Sequence, residues 1–253
     1  MRRIAPKSPS ALTRMRTAGR IVALALEAVR SHAQPGVTTA ELDRIAEEAI
    51  RSRGARPAFK GYRGYPASIC TSINEQVVHG IPGPRVLQEG DLLSVDCGAV
   101  WEGYTGDAAV TIEIGECSPE ARRLVQATRA ALAAAIAAVR AGVRVVEISR
   151  AVQQTAEAAG FSVVTTLTGH GVGRRLHEEP MVPNYVSPAD LLSSPVLPSG
   201  ATIAIEPMVN AGAAQVRTLE DKWTVVTLDG KPSAHFEHTV AVTEAGASIL
   251  TLP

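Results

Sequence analysis

Cysteine is scarce in this sequence, in which Cys70, Cys97 and Cys117 are the only cysteines among 253 residues. An odd number of widely spaced cysteines, with no CxxC pair, excludes a disulfide framework and a zinc-ribbon pattern. Because structural disulfides belong to oxidising compartments, we expect this chain to work in a reducing one, the cytoplasm. Arg2-Arg3 is not followed by the apolar segment of a secretory signal, which agrees with that expectation.

Long apolar runs and a net charge are also missing. No stretch of about 18 apolar residues is free of charged residues, so we expect no membrane span. The 25 basic and 25 acidic residues cancel, and that balance does not require nucleic acid as a partner. The residues present, 45% hydrophobic and 20% charged, are typical of a globular chain with a sizeable core.

Several enzyme motifs do not occur in the sequence. There is no GxGxxG fingerprint and no Walker loop, which disfavours nucleotide binding. There is no GxSxG elbow, and HEEP is not HExxH, so the usual serine-hydrolase and zincin patterns are absent.

The first twenty residues are locally basic, and two interpretations of them are open. They form a solvated helix face, or they make a transient contact with an anionic surface such as the ribosome. The cations are Arg2, Arg3, Lys7, Arg14, Arg16 and Arg20.

Two stretches about a hundred residues apart resemble each other. The sequence at 35–54, PGVTTAELDRIAEEAIRSRG, predicts a helix capped by Thr38 or Thr39, after an earlier predicted helix at 10–31. The sequence at 141–160, AGVRVVEISRAVQQTAEAAG, matches it at an offset of 106. So many agreements at one offset indicate a duplicated unit.

The duplication extends to strands that carry acids. At an offset of 110, LQEGDLLSVD aligns with LPSGATIAIE, which places Asp96 on Glu206. Further on, DAAVT aligns with the start of EHTVAVT, which places Asp107 on Glu237. We expect one strand to end near Asp96 and the next to begin at Asp107, with a turn over 100–106 between them.

Two copies of a helix–strand–strand unit are too few for a solenoid, so we expect them to pack together as one domain. The sequence therefore predicts a single domain over 1–253, with related halves at about 10–115 and 116–253 and an extension at 1–9.

Acids in equivalent places in both halves suggest a shared site. A lone Asp at a strand end is usually a turn or cap residue. Four carboxylates buried together, however, would repel one another and become neutral without a counter-charge, which paired divalent metal ions supply in many hydrolytic sites. His170, flanked by glycines, is either a nitrogen ligand or a hydrogen-bonded turn residue. One imidazole among carboxylates favours Mn, Fe, Co or Zn over Cu.

Four short motifs and one spacing resemble a known family. They are NEQVVHGIP, GHGVGRRLHEEP, AIEPM and FEHTVAVT, together with Asp96 and Asp107 eleven positions apart. Over roughly 10–250 the chain resembles the type I methionine aminopeptidases. It lacks the helical insertion of the type II enzymes and a zinc-finger extension, like the short bacterial form. The resemblance implies the pita-bread fold, an α/β (α+β) architecture with two pseudo-symmetric halves around a central, largely antiparallel sheet.

The resemblance also implies a dinuclear metal site and a reaction. Two divalent ions (Co, Mn, Fe or Zn) would be held by Asp96, Asp107, His170, Glu206 and Glu237. Asp107 and Glu237 would bridge the ions, and a metal-bridging hydroxide would release N-terminal methionine from nascent proteins and peptides whose second residue is small. Glu206 would shuttle the proton, His177 would hydrogen-bond the developing oxyanion, and His79 would hydrogen-bond the backbone nitrogen of the second residue.

The family's methionine pocket maps to Tyr62, Tyr65, Cys70, Leu176 and Trp223, with His79 at the rim. An apolar, aromatic slot with a sulfur neighbour suits a thioether. The chain departs from the family pattern, with Leu176 in place of a common Phe, His235 in place of Gln, and Val78 in place of a Cys found in some relatives. By analogy, a Na or K ion would bind near Asn74, Gln76 and Ser233.

Two alternatives remain open. One is an X-Pro aminopeptidase or prolidase of the same fold, although those enzymes usually carry an extra N-terminal domain and only about 85 residues precede the first acidic strand here. The other is a non-catalytic binding protein, although such relatives usually lose ligands and this chain has all five. We expect a monomer that acts on peptides.

Overall fold

The computed structural model describes residues 4–253, which contain five α-helices, one short 3-10 helix (Tyr62–Gly64) and fifteen strands. The helices are α1 (Pro9–His32), α2 (Thr39–Arg51), α3 (Pro119–Ala138), α4 (Val145–Ala158) and α5 (Pro188–Leu192). The strands are β1 (Arg56–Pro57), β2 (Ile69–Ile73), β3 (Gln76–Val78), β4 (Leu92–Trp101), β5 (Tyr104–Glu113), β6 (Ser162–Val163), β7 (Thr168–Gly171), β8 (Glu178–Pro183), β9 (Thr202–Ile205), β10 (Met208–Asn210), β11 (Val216–Thr218), β12 (Val225–Thr227), β13 (Ser233–His235), β14 (Glu237–Thr243) and β15 (Gly246–Ile249).

The central sheet has nine strands, in the order β1-β4-β5-β14-β9-β7-β8, with β2 added on β4 and β15 on β14. Every pairing in it is antiparallel. Two further sheets have three strands each, β13-β10-β6 and β11-β12-β3. The expected mixed α/β fold around an antiparallel sheet is confirmed.

Long helices cover one face of the central sheet. Val95 and Cys97 of β4 pack with the buried stripe of α2, which includes Leu42, Ala46 and Ile50 at helical spacing. Because side chains alternate along a strand, the residues between them on β4 face the other way. None of the helices within residues 4–253 has the length and apolar character needed to cross a lipid bilayer.

The two predicted copies make the same backbone hydrogen bonds. The amide of Gly36 donates to the carbonyl oxygen of Leu87 at 2.9 Å, and the amide of Gly142 donates to the carbonyl oxygen of Leu197 at 2.9 Å. Both glycines have positive φ, 96° and 83°, which a residue with a side chain rarely adopts. These equivalences support the division into related halves near residue 115, which stays a prediction.

The hairpin between the first two acids differs from the expectation. Strand β4 continues to Trp101 and β5 already begins at Tyr104, so the turn is Glu102-Gly103 and not residues 100–106. Both turn residues have positive φ, 45° and 76°, as a tight two-residue hairpin turn requires. The ladder therefore runs past Asp96, which lies inside a strand rather than at its end.

Helix α1 crosses β5 at two glycines. A Cβ atom on Gly106 would lie 2.5 Å from the backbone nitrogen of Gly19, and one on Gly19 would lie 2.2 Å from the carbonyl oxygen of Leu250. These contacts are with main-chain atoms, which cannot move aside like the tip of a side chain. Close approach of the helix thus fixes the strand that carries Asp107.

We predict that Gly106→Ala lowers the free energy of unfolding by about 3 kcal/mol, because the added methyl group forces the helix off the strand. Gly83→Ala is the matched control, since its Cβ would meet no atom closer than 4.0 Å and its φ is not in the left-handed region. Denaturant unfolding of both variants measures the difference. Equal stabilities would show that α1 does not pack tightly on this strand.

Candidate metal centre and substrate pocket

The strand register places acids side by side on one face of the central sheet. Asp96 of β4 pairs with Ala109 of β5, and Ala109 pairs with Glu237 of β14. Residues directly opposite one another on paired strands point to the same face. The small side chain of Ala109 leaves space between the two carboxylates.

The remaining predicted ligands follow by alternation along the strands. Asp107 lies two residues before Ala109 and therefore shares its face. His170 of β7 pairs with Ala204 of β9, and Glu206 follows Ala204 by two residues. All five predicted ligands thus face away from α1 and α2.

The distances show that the side chains converge. The Nε2 atom of His170 lies 3.5 Å from Oε1 of Glu206 and 3.8 Å from Oδ2 of Asp107. Asp107, His170 and Glu237 each offer one ligand atom, and these atoms all lie within 4.8 Å of one another. The three residues are buried, while Asp96 and Glu206 are partly exposed to the adjoining pocket.

His170 is held in the tautomer that a ligand needs. Its Nδ1 atom donates to the carbonyl oxygen of Gly171 at 2.9 Å, which leaves the lone pair on Nε2. Burial lowers the pKa of His170 to about 4, so the ring is neutral. The unprotonated Nε2 atom and the carboxylate oxygens are all hydrogen-bond acceptors, so their lone pairs repel one another at these distances. A cation bound between them would remove that repulsion.

The electrostatics of the four acids also call for positive charge. Burial raises the pKa of Asp96 to about 7, while burial and the charge of Asp96 raise that of Asp107 well above its usual value. Burial, together with the neighbouring acids, does the same for Glu206 and Glu237. Within residues 4–253, three buried carboxylate oxygens accept no hydrogen bond: Oδ1 of Asp96, Oδ1 of Asp107 and Oε1 of Glu237.

Oxygen donors with one neutral imidazole are the ligand set of Mn, Fe, Co or Zn. The residues therefore fit divalent metal ions.

The cluster lies in a pocket with about 700 Å³ of empty space, part of it open to solvent. The pocket brings together every residue predicted to bind the divalent ions or the substrate. Its lining is Phe59, Tyr62, Arg63, Tyr65, Cys70, His79, Asp96, Asp107, His170, Leu176, His177, Glu206, Trp223 and Glu237.

One side of this pocket is an apolar slot. The ring of Trp223 meets Tyr65 edge-on, with centroids 5.0 Å apart, and Leu176 and Phe59 belong to the same hydrophobic cluster. The hydroxyl of Tyr65 is directed to the carbonyl oxygen of Gly80 at 3.0 Å and therefore leaves the slot free of its polar atom. Burial raises the pKa of the Cys70 thiol, which stays neutral.

Two histidines border the cluster. The ring centroid of His177 lies 4.2 Å from that of His170, and its Nδ1 atom is 2.8 Å from the hydroxyl of Tyr62. The ring of His79 meets that of Trp223 edge-on, with centroids 6.3 Å apart. The φ of His79, 60°, is unusual for a residue with a side chain. Burial lowers the pKa of His79 to about 4 and so keeps its ring neutral.

Three features were missed or unassigned at the sequence level. Phe59 and Arg63 line the pocket. The sequence does contain an indication for Arg63, because a glycine on each side of Tyr62-Arg63 is typical of a turn, and Arg63 has positive φ there. His235 is buried, and its Nε2 atom lies 3.9 Å from Oε2 of Glu206 without a hydrogen-bond partner in residues 4–253. Nothing in the sequence indicated that contact.

The residues predicted to bind a monovalent cation are engaged within the fold. The side-chain oxygen of Asn74 accepts from the amide of Leu92 at 2.9 Å, and that of Gln76 accepts from the amide of Ile73 at 2.9 Å. The hydroxyl of Ser233 is directed to a backbone carbonyl at 3.1 Å. The Na or K site stays a prediction.

Comparisons with known proteins agree with this geometry. Residues 13–244 match metallopeptidase family M24. Methionine aminopeptidase 1 of Bacillus subtilis (strain 168) is 51% identical over 245 residues, which cover 97% of this chain and 98% of that protein. The crystal structure of methionine aminopeptidase from Thermotoga maritima has a TM-score of 0.96 and 46% identity, and the match covers 99% of this chain and 100% of that one.

Prolidase from Pyrococcus furiosus shares the fold, with a TM-score of 0.81 at 23% identity, and the match covers 99% of this chain and 66% of that one. The fold is that of a pita-bread metallopeptidase, and Asp107, His170 and Glu237 form a cluster that could hold a metal ion. The chain belongs to metallopeptidase family M24 and, within it, to the methionine aminopeptidases.

We predict that Glu237→Gln changes the free energy of unfolding in opposite directions with and without bound metal. In metal-free protein the variant is more stable by about 1 kcal/mol, because the carboxyl group of Glu237 must take up a proton to be buried beside the other acids, whereas the amide of glutamine is already neutral. With Mn²⁺ at a hundred times its dissociation constant, wild type gains about 2.7 kcal/mol, and the variant gains much less.

Thermal unfolding with and without a chelator measures both effects. Glu220→Gln is the control, because that carboxylate is exposed on a loop. If Glu237→Gln and wild type respond equally to Mn²⁺, Glu237 is not a ligand.

Proposed function

We propose that this chain removes the N-terminal methionine from nascent proteins and peptides whose second residue is small. The observation that carries the proposal is the apolar slot of Tyr65, Leu176 and Trp223, which adjoins the acid–imidazole cluster in one pocket. A thioether side chain fits such a slot, since it is long, flexible and polarizable. Membership of the methionine aminopeptidases supports the same substrate.

Asp96, Asp107, His170, Glu206 and Glu237 would hold two divalent ions, of Co, Mn, Fe or Zn. Ions bound there would lower the pKa of a coordinated water and polarise the carbonyl group of the substrate. The donor types permit each of these metals, and metal availability decides between them.

Glu206 would be the residue that moves a proton. Its carboxylate borders the pocket and is partly exposed there, unlike the fully buried Asp107 and Glu237. A carboxylate with a raised pKa can take a proton from the attacking water and deliver it to the leaving amine nitrogen.

The two bordering histidines position the substrate. When the hydroxyl of Tyr62 donates to Nδ1 of His177, Nε2 of that ring carries the proton and can donate to the carbonyl oxygen as negative charge develops on it. His79 would hydrogen-bond the backbone nitrogen of the second residue. The positive φ of His79 is consistent with this role, since strained backbone is common where a side chain must keep a fixed orientation towards the substrate.

The limit to a small second residue is geometric. The second side chain would lie where the slot meets the acid cluster, between His79 and His177, which both line the pocket. A bulky side chain there would collide with the pocket wall.

We further propose a monomer that works in the cytoplasm. All three cysteines are free and buried, as in proteins of reducing compartments. A transient ribosome contact through the basic N-terminal segment is part of the proposal, but three of its cations are engaged within the fold. Lys7 pairs with Glu178 at 3.0 Å, Arg14 pairs with Glu102 at 3.2 Å, and Arg16 donates to the hydroxyl of Ser248 at 3.0 Å. Arg2 and Arg3 lie outside the described residues.

The alternative functions have less support. The prolidases match at 23% identity or less in the examples from Pyrococcus species, which shows a common fold alone. A non-catalytic binding protein would not need five converging donors with two histidines beside them.

We predict that peptides beginning Met-Ala or Met-Gly are cleaved in the presence of Mn²⁺ or Co²⁺ and that X-Pro peptides are not. Release of free methionine, followed by chromatography, measures both reactions. Cleavage of X-Pro substrates alone would overturn the proposal in favour of prolidase activity.

We predict that His177→Ala lowers kcat on a Met-Ala peptide about a hundredfold, with a much smaller change in KM, because the hydrogen bond strengthens only as the oxyanion forms. His32→Ala is the control, since that ring is exposed at the end of α1. A variant that kept full kcat would remove His177 from the reaction.

A further inference from the structure

A second, shallower cavity opens beside the substrate pocket, and its lining is strongly basic. It contains about 1150 Å³ of empty space, including open solvent. The two cavities share Tyr62, Arg63, Leu176 and His177, so one opens into the other. We call the second cavity the arginine groove; its charged lining residues are Arg56, Lys60, Arg63, Arg174 and Arg175, besides the shared His177.

The charge of the groove is largely uncompensated. No carboxylate belongs to its lining. Lys60 pairs with Glu47 at 2.7 Å, but the four arginines form no ion pair within residues 4–253. The nearby carboxylate of Glu178 is occupied by Lys7 and by the backbone amide of Arg175.

Two of the guanidinium groups are held by aromatic rings. The Cζ atom of Arg174 lies 4.6 Å from the ring centroid of Tyr104, and that of Arg63 lies 5.4 Å from the ring centroid of Tyr62. Stacking fixes the plane of a guanidinium group and leaves its N–H groups free to donate to a carboxylate. Arg63 also has a left-handed backbone, with φ 49°, in a turn that places it in both cavities.

The occupant of this groove follows from the proposed reaction, on which this inference rests. A peptide that enters with its amino end towards the acid cluster must extend out of the pocket, and the arginine groove adjoins the pocket through the four lining residues that the two cavities share. An extended chain advances about 3.3–3.6 Å per residue, so the third to fifth residues would lie roughly 4–11 Å beyond the second. We propose that the arginine groove binds these residues and selects acidic side chains there.

The kinetic consequence is a preference of limited size. Exposed arginine–carboxylate contacts are weak individually, and several acting together raise kcat/KM for an acidic peptide about five- to tenfold over a neutral one. The gain lies mainly in KM, because contacts away from the reacting bond stabilise ground state and transition state alike. It fades at high ionic strength, because the charges are open to solvent.

The test compares three peptides, Met-Ala-Glu-Glu-Glu-Ser, Met-Ala-Ser-Ser-Ser-Ser and Met-Ala-Lys-Lys-Lys-Ser, on the metal-loaded full chain. Wild type should favour them in that order at low salt, and the differences should shrink in about 0.5 M NaCl. Arg174→Gln/Arg175→Gln should lose most of the preference, and Arg175→Glu should shift it towards the lysine peptide. The matched control, Arg20→Gln/Arg140→Gln, removes two exposed arginines outside the groove and should keep the preference.

The outcomes separate this inference from the proposed function. Equal kcat/KM for all three peptides in wild type would overturn the groove proposal and leave methionine removal intact. No methionine release from any of them would overturn the proposed function itself. If the groove variants lost affinity for a ribosomal RNA hairpin while the peptide preference persisted, the groove would be a nucleic-acid surface, and the acidic-peptide proposal would be wrong.

Discussion

The rest of this structure depends on holding four carboxylates together on one face of one sheet. Burial and mutual repulsion raise the pKa values of these acids, so the cluster opposes folding unless positive charge joins it. Its members come from separate strands, and their spacing is set by the hydrogen-bonded ladder through Ala109 and Ala204. The stability of the sheet is therefore what keeps the predicted metal ligands in place.

The opposite face of the sheet supplies that stability. Helices α1 and α2 bury an apolar layer against β4 and β5, and α3 and α4 bury another against β9 and β14. The contact of Gly19 with Gly106 brings α1 against the backbone of β5, one residue before Asp107. A packing contact on the helical side thus bears directly on the position of a predicted ligand on the other side.

Much of the site could be predicted from the sequence because its chemistry repeats. Asp96 with Glu206 and Asp107 with Glu237 stand at equivalent places in two similar segments, and glycines mark His170. The extent of the hairpin could not be predicted, since Gly106 resembles a turn residue when the helix packed against it is unknown. The pairing of Trp101 with Tyr104 shows instead a two-residue turn.

The sequence by itself determined the class of fold, the donor types and the absence of a framework of disulfides, because periodicity, residue chemistry and cysteine count are local properties. Only the tertiary structure decided which side chains meet. His235 lies near Glu206, and Phe59 packs in the cluster that forms the slot. Arg63 and Arg174, far apart in sequence, line one groove. Such contacts depend on strand register and helix packing, which join residues that no sequence pattern connects.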